Sequence, residues 1–173
     1  MNVQLKYATL GALLIICQIL LSEYVNIWPL LYIAIFPQFI ILLPPSMNKI
    51  AHLIIAFILG MAIDIFADGV LGLNAAALVA MAYVRPSLLK ITLSKANLDT
   101  MDNQPLLPRT VEIQKLAMLN GCMLAVFFLV YTMLDSAGTF PLWYMALKIS
   151  VCVIANCIIS LICSKVLFEK YLR

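Results

Sequence analysis

The sequence predicts an all-α integral membrane protein whose single domain, residues 1–173, forms one bundle of six transmembrane helices. Hydrophobic residues make up 65% of the chain and charged residues only 11%, whereas soluble domains average about 45–50% apolar and about 25% charged. The mean hydropathy is +1.07. Spans of about 20 apolar residues use nearly the whole chain, so no soluble catalytic domain fits beside them.

Six apolar runs define the predicted spans. Their approximate bounds are 5–21, 27–43, 50–66, 70–93, 115–134 and 140–168. The second run contains Pro29 and Pro37. Because neighbouring helices can satisfy the carbonyls that proline frees, we expect a helix kinked near Pro37 rather than a broken one. Residues 94–114 form the one substantial hydrophilic loop.

The basic residues predict the orientation. If both termini are cytoplasmic, every Lys and Arg except Lys148 lies on the cytoplasmic side, as the positive-inside rule requires. Glu23, Asp68 and Asp135 then lie on the outer side. The 94–114 loop is therefore expected to be cytoplasmic.

Nothing in the sequence supports nucleic-acid binding.

The sequence contains no motif for catalysis, a cofactor or a metal ion. It has no glycine-rich phosphate loop, no HExxH and no convincing set of Ser, His and acid. The five cysteines lie in apolar runs without a CxxC pair, so we expect them to act as small hydrophobic residues. His52 has no second ligand in sequence reach and is expected to be hydrogen-bonded or interfacial.

The turn between the third and fourth spans carries the most informative pattern. Gly60, Asp64 and Asp68 are spaced by four and share one helix face, while Gly69 and Gly72 permit a tight turn. A carboxylate inside the apolar zone costs about 2.5–3.5 kcal/mol on insertion scales. Asp64 is therefore predicted to be a functional or structural keystone, with simple capping of the hairpin as the open alternative. Asp68 is expected to be a solvated turn residue.

Lys148 is the second charge inside an apolar run. It either extends its long stem outward to water or pairs with Asp64, since each lacks a partner on its own helix. Other polar residues within or at the ends of spans are expected to form interhelical hydrogen bonds. They are Gln18, Gln38, Asn74, Asn120 and Asn156.

These patterns resemble the rod shape-determining protein MreD family. The resemblance rests on Gly60-x-x-x-Asp64, on the segment GLNAA that begins at Gly72, and on the segment MAYVRP that contains Arg85. Asn74 stands where the family commonly has His, which removes a titrating group but keeps a hydrogen-bonding side chain. The specific match covers about 30 residues, and the rest agrees in hydropathy, length and topology.

The resemblance implies a non-enzymatic scaffold of the cell-elongation complex in the bacterial inner membrane, without a cofactor. It implies binding to an MreC-like protein and, indirectly, to MreB, RodA and the elongation-specific penicillin-binding transpeptidase of peptidoglycan synthesis. Contact with membrane lipid is also expected, and a homodimer is left open. The structural or partner-binding candidates are Gly60, Asp64, Asp68, Gly72, Asn74, Arg85 and Lys148.

Family resemblance also implies a fold similar to the substrate-binding (S) subunits of energy-coupling-factor (ECF) transporters. The alternative function is therefore capture of a vitamin-like small molecule. A vitamin pocket needs convergent polar groups and a loop that closes over them, yet the outer turns are short and poor in donors, which favours the scaffold. A channel would need polar rings along several helices, and the sequence has none.

Overall fold

The computed structural model describes residues 3–24, 30–93, 106–107, 111–137 and 139–165. Five helices in these ranges are long and apolar enough to cross a membrane, which indicates a multi-pass membrane protein. The helices are α1 (Val3–Tyr24), α2 (Pro37–Leu42), α3 (Lys49–Ile63, continuing as a π-helix over Asp64–Asp68), α4 (Leu73–Thr92), α5 (Ile113–Ser136) and α6 (Leu142–Cys163).

The five long helices coincide with the first, third, fourth, fifth and sixth predicted apolar runs. The α4 helix packs between α3 and α5, α5 packs against α6, and α1 lies against α3. Residues 94–105 and 108–110 of the expected loop, and 166–168 of the last expected span, lie outside the described residues.

The expected single helix over 27–43 is wrong. Residues 31–35 are not helical, only Pro37–Leu42 forms a short helix, and 27–29 lie outside the described residues. Pro37 accounts for the start of α2 at this point, because proline has no amide hydrogen to continue a preceding helix and is accepted in the first turn of a new one. The described part of the bundle therefore has five long helices and one partly extended segment instead of six helices.

The extended segment, residues 31–35, runs through the interior together with α2. One end meets the far end of α3, where the Tyr32 hydroxyl lies 2.9 Å from Asp68 Oδ2. The other end reaches the start of α3. There Arg85 of α4 donates to the carbonyl of Leu43, the residue after α2, and to His52 of α3. Five extended residues and six helical ones cover about 25 Å, most of the roughly 30 Å apolar core of a bilayer.

Aromatic contacts fix this segment against α5. Tyr32 stacks on Tyr131 with ring centroids 4.9 Å apart, and Phe36 meets Phe127 edge-on at 5.6 Å. Ile40 is fully buried in the same core. These contacts hold the partly helical segment in the interior of the bundle. The apolar core of a membrane would otherwise exclude such a segment.

Candidate functional site

Gly60 allows α3 and α4 to touch backbone to backbone. A Cβ atom added to Gly60 would lie 2.4 Å from Cα of Ala75 and 2.7 Å from its nitrogen. Non-bonded heavy atoms do not approach so closely, so only glycine fits without moving one helix. Small residues at a contact let membrane helices approach closely, and Gly60 has this role here.

Asp64, one turn after Gly60, caps the start of α4. Its side chain is fully buried. Oδ2 accepts the backbone N–H groups of Gly72 at 2.9 Å and Ala75 at 3.2 Å, and Oδ1 accepts the backbone N–H of Asn74 at 2.8 Å. The first N–H groups of a helix lack partners inside it and their dipoles favour a negative charge, so this carboxylate stabilises the hairpin.

Asp68 joins three elements at the same end of the bundle. Oδ2 accepts from the Tyr32 hydroxyl and from the Asn74 side-chain amide, while Oδ1 accepts from the Ser22 hydroxyl at 3.3 Å. The expectation that Asp68 is only a solvated turn residue is therefore wrong. We call Ser22, Tyr32, Asp64, Asp68 and Asn74 the carboxylate cluster.

The glycines of the turn have the backbone geometry that the sequence suggested. Gly69 has φ +71° and Gly72 has φ +92°, in the left-handed region that side chains with a Cβ rarely enter. Gly69 N–H donates to the Asp64 carbonyl at 2.8 Å, which closes the π-helical turn.

Lys148 lies apart from the carboxylate cluster. Its Nζ is 2.9 Å from Oδ2 of Asp135, with side-chain exposures of 15% and 38%. The predicted pair between Lys148 and Asp64 is wrong, because both oxygens of Asp64 accept N–H groups of the hairpin. A carboxylate at the end of α5 was the nearer partner.

Gln18 holds one edge of the extended segment. Its Nε2 donates to the carbonyl of Ile33 at 3.0 Å, and its Oε1 accepts the N–H of Ile35 at 2.9 Å. Gln18 is fully buried on α1. A side-chain amide thus takes the place that a neighbouring β-strand would have.

Asn156 on α6 holds the opposite edge in the same way. Its Oδ1 accepts the N–H of Ala34 at 2.8 Å, and its Nδ2 donates to the carbonyl of Tyr32 at 2.8 Å. The N–H of Tyr32 donates to Sγ of Cys152, one turn earlier on α6, and the distance from N to Sγ is 3.4 Å. Interhelical hydrogen bonds of Gln18 and Asn156 were expected, but their binding to a non-helical backbone was missed, as was the contact of Cys152. Pro37, which has no N–H with which to continue a preceding helix, was the available signal.

Arg85 lies on α4 eleven residues after Asn74, about 16 Å along the helix axis from the cluster and toward the other end of the bundle. Its side chain is buried and donates to Nε2 of His52 at 2.9 Å, to the carbonyl of Ile41 at 3.3 Å and to that of Leu43. His52 Nδ1 lies 3.1 Å from the carbonyl of Asn48. The expectation of a hydrogen-bonded His52 is confirmed.

Both groups of polar residues bind other parts of the chain. The carboxylate cluster caps a helix and anchors Tyr32, and Arg85 binds the carbonyls at the end of α2. In the ranges that the structure describes, no three His, Cys, Asp or Glu residues are grouped so that they could hold a metal ion.

Comparisons with known proteins give no family assignment. No family model matches the chain, and neither a curated protein nor a solved structure matches it.

Proposed function

We propose that this chain is a non-enzymatic scaffold of the bacterial cell-elongation complex. In this proposal it binds an MreC-like protein in the inner membrane and helps to couple MreB to RodA and to the elongation-specific transpeptidase. The observation that carries the proposal is the use of interior polar groups. Asp64 accepts four hydrogen bonds from the hairpin, and Gln18 and Asn156 each bind two backbone groups of the extended segment.

This use of polar groups favours a scaffold over a capture subunit. A vitamin-like ligand near the outer face would need donors and acceptors that converge on it. The other polar side chains of the carboxylate cluster instead converge on Asp64 and Asp68. These side chains are Ser22, Tyr32 and Asn74. Their hydrogen bonds hold the hairpin and the extended segment in place, so at this end of the bundle partner recognition is left to the outer surface.

The exposed face of α6 is the surface we assign to the partner. Only 17% of the most apolar stretch of this helix is buried inside the bundle. The exposed residues recur every three or four positions and form one stripe, as in helices that pack against another helix. The stripe consists of Leu147, Val151, Ile154, Ile158 and Ile162.

The orientation follows from charge. Among the described residues, Lys49, Arg85, Lys90 and Lys165 lie at one end of the bundle, which we call the basic end. We propose that this end, with both termini, faces the cytoplasm, as the positive-inside rule favours. In this orientation the carboxylate cluster faces the periplasm, beneath the partner proteins of peptidoglycan synthesis.

Affinity purification tests the proposal. The tagged full chain is extracted from its native membrane in mild detergent and the co-purified proteins are measured by mass spectrometry. We expect an MreC-like protein, reduced about tenfold by Ile154→Ala with Ile158→Ala. The matched control is Ile16→Ala with Leu20→Ala on α1, which has an equally uncovered face. Recovery of ATPase subunits or of a bound vitamin would contradict the scaffold and support the transporter subunit.

A further inference from the structure

A cavity of about 760 Å³ opens at the basic end between the 44–48 loop, α3 and α4. Its size is typical of small-ligand sites, which measure about 300–1,000 Å³. Its lining carries three cations and no carboxylate. The three cations are Lys49, Arg85 and Lys90, and His52 lies beside them.

Arg85 is the buried cation of this cavity. Its side chain is 2% exposed, and its partners are a histidine nitrogen and two carbonyl oxygens, none of which carries a negative charge. Its Nε has no hydrogen-bond partner among the described residues. A buried guanidinium is costly unless a counter-charge accompanies it. The described ion pairs join Lys115 to Glu112 and Lys148 to Asp135, and neither includes Arg85.

His52 orients this cation without adding charge. Because Arg85 can only donate, Nε2 of His52 accepts from it, and the ring hydrogen is then on Nδ1, directed to the carbonyl of Asn48. The cavity therefore presents the guanidinium of Arg85 with the two exposed ammonium groups of Lys49 and Lys90. Arginine with lysine is the set that binds phosphate.

An apolar groove adjoins the cavity. It has a volume of about 510 Å³ and lies between α1 and α3, with α2 behind it. Met47 lines both spaces, so they lie next to each other at this residue. Along α1 the groove extends from Tyr7 to Ile15, about two helical turns into the apolar zone. A phosphate site with an apolar groove beside it matches a phospholipid and not a free anion.

We propose that the chain binds an anionic phospholipid at the basic end, with the headgroup phosphate in the cavity at Arg85 and one acyl chain in the adjoining groove. Basic pockets between helices on the cytoplasmic side of a membrane are suited to anionic headgroups. The two exposed lysines supply long-range attraction, and buried Arg85 supplies the fixed contact.

Thermal unfolding of the purified full chain in detergent tests the site. Added phosphatidylglycerol should raise the midpoint and bind saturably, whereas phosphatidylcholine and inorganic phosphate should not. Lys49→Gln with Lys90→Gln should weaken phosphatidylglycerol binding roughly thirtyfold, while Lys115→Gln with Lys165→Gln, at the same end but outside the cavity, should leave it within about twofold.

A second pair of variants tests the groove. Ala12→Trp fills it, and Leu13→Trp adds the same ring to the exposed face of α1 outside it. Only Ala12→Trp should weaken lipid binding. Equal binding of phosphatidylcholine, equal binding of inorganic phosphate, or equal losses in the two lysine pairs would overturn the proposal. So would lipid binding that appears only after Asp99→Asn with Asp102→Asn, since the counter-charge would then come from the chain itself.

Discussion

Gln18 and Asn156 bind opposite edges of the same extended segment. Each side chain accepts one backbone N–H and donates to one backbone carbonyl, and the bound residues alternate along 32–35. Inside a membrane, backbone groups without partners cost several kcal/mol each, so non-helical backbone persists only where protein satisfies it. Two amide side chains from α1 and α6 therefore permit the partly extended pass.

Replacing Asn156 tests this relationship. Asn156→Leu leaves the N–H of Ala34 and the carbonyl of Tyr32 without their partner, at about 1–3 kcal/mol each. We expect a loss of roughly 2–6 kcal/mol in the free energy of unfolding, measured by denaturant titration in mixed micelles. Ser150→Ala on the exposed side of α6 is the control and should change it by less than about 1 kcal/mol. Similar stabilities of the two variants would show that Asn156 does not hold the segment.

The Gly60 contact gives a prediction of opposite sign at two glycines. Gly60→Ala forces a Cβ against the backbone of Ala75 and should destabilise by about 1–3 kcal/mol. Gly121→Ala, within α5, meets nothing within 4 Å and should stabilise by up to about 1 kcal/mol. Unfolding midpoints of the two variants check this, and a Gly60→Ala protein as stable as the native chain would refute the close approach.

Asp64 is expected to act through its capping bonds. Asp64→Ala leaves three backbone N–H groups at the start of α4 without an acceptor and should cost at least about 2 kcal/mol. Asp64→Asn keeps one acceptor oxygen and should cost less. Chymotrypsin sensitivity and unfolding midpoints of the detergent-solubilised variants rank their stabilities. An Asp64→Asn protein less stable than the Asp64→Ala protein would contradict the capping role.

The ion pair of Lys148 predicts a small effect. Because Asp135 is more than a third exposed, either Lys148→Gln or Asp135→Asn should cost less than about 1 kcal/mol. Exchanging the two charges, Lys148→Asp with Asp135→Lys, should return the unfolding midpoint to the native value. Rescue of Lys148→Asp by Asp64→Lys instead would restore the pairing that the structure contradicts.

The sequence was sufficient for the long helices and insufficient for the segment between them. Hydropathy reports that residues 27–43 prefer an apolar setting, and it is equally high for a helix and for a buried extended strand. Burial at Tyr32, Ala34 and Phe36, with partial exposure at Ile33 between them, follows a period of two that only the structure reveals.

The same limit applies to the candidate sites. The spacing of Gly60 and Asp64 correctly brought the hairpin residues together, because contacts four residues apart are local. The partners of Lys148 and Gln18 lie on other elements, so spacing along the chain could not select them. Lys148 was paired with Asp64 because neither has a partner on its own helix, whereas the carboxylate that Lys148 meets is that of Asp135 at the end of α5.

Amide hydrogen exchange of the extended segment tests the central claim most directly. The central claim is that Gln18 and Asn156 occupy the backbone groups of residues 32–35, so that this segment is closed to water and to a ligand. It predicts slow exchange at the amides of Tyr32, Ala34 and Ile35 in the native chain, and faster exchange at Ala34 in Asn156→Leu. Rapid exchange of these amides in the native chain would contradict it, because the segment would then be open to water and free to bind a ligand.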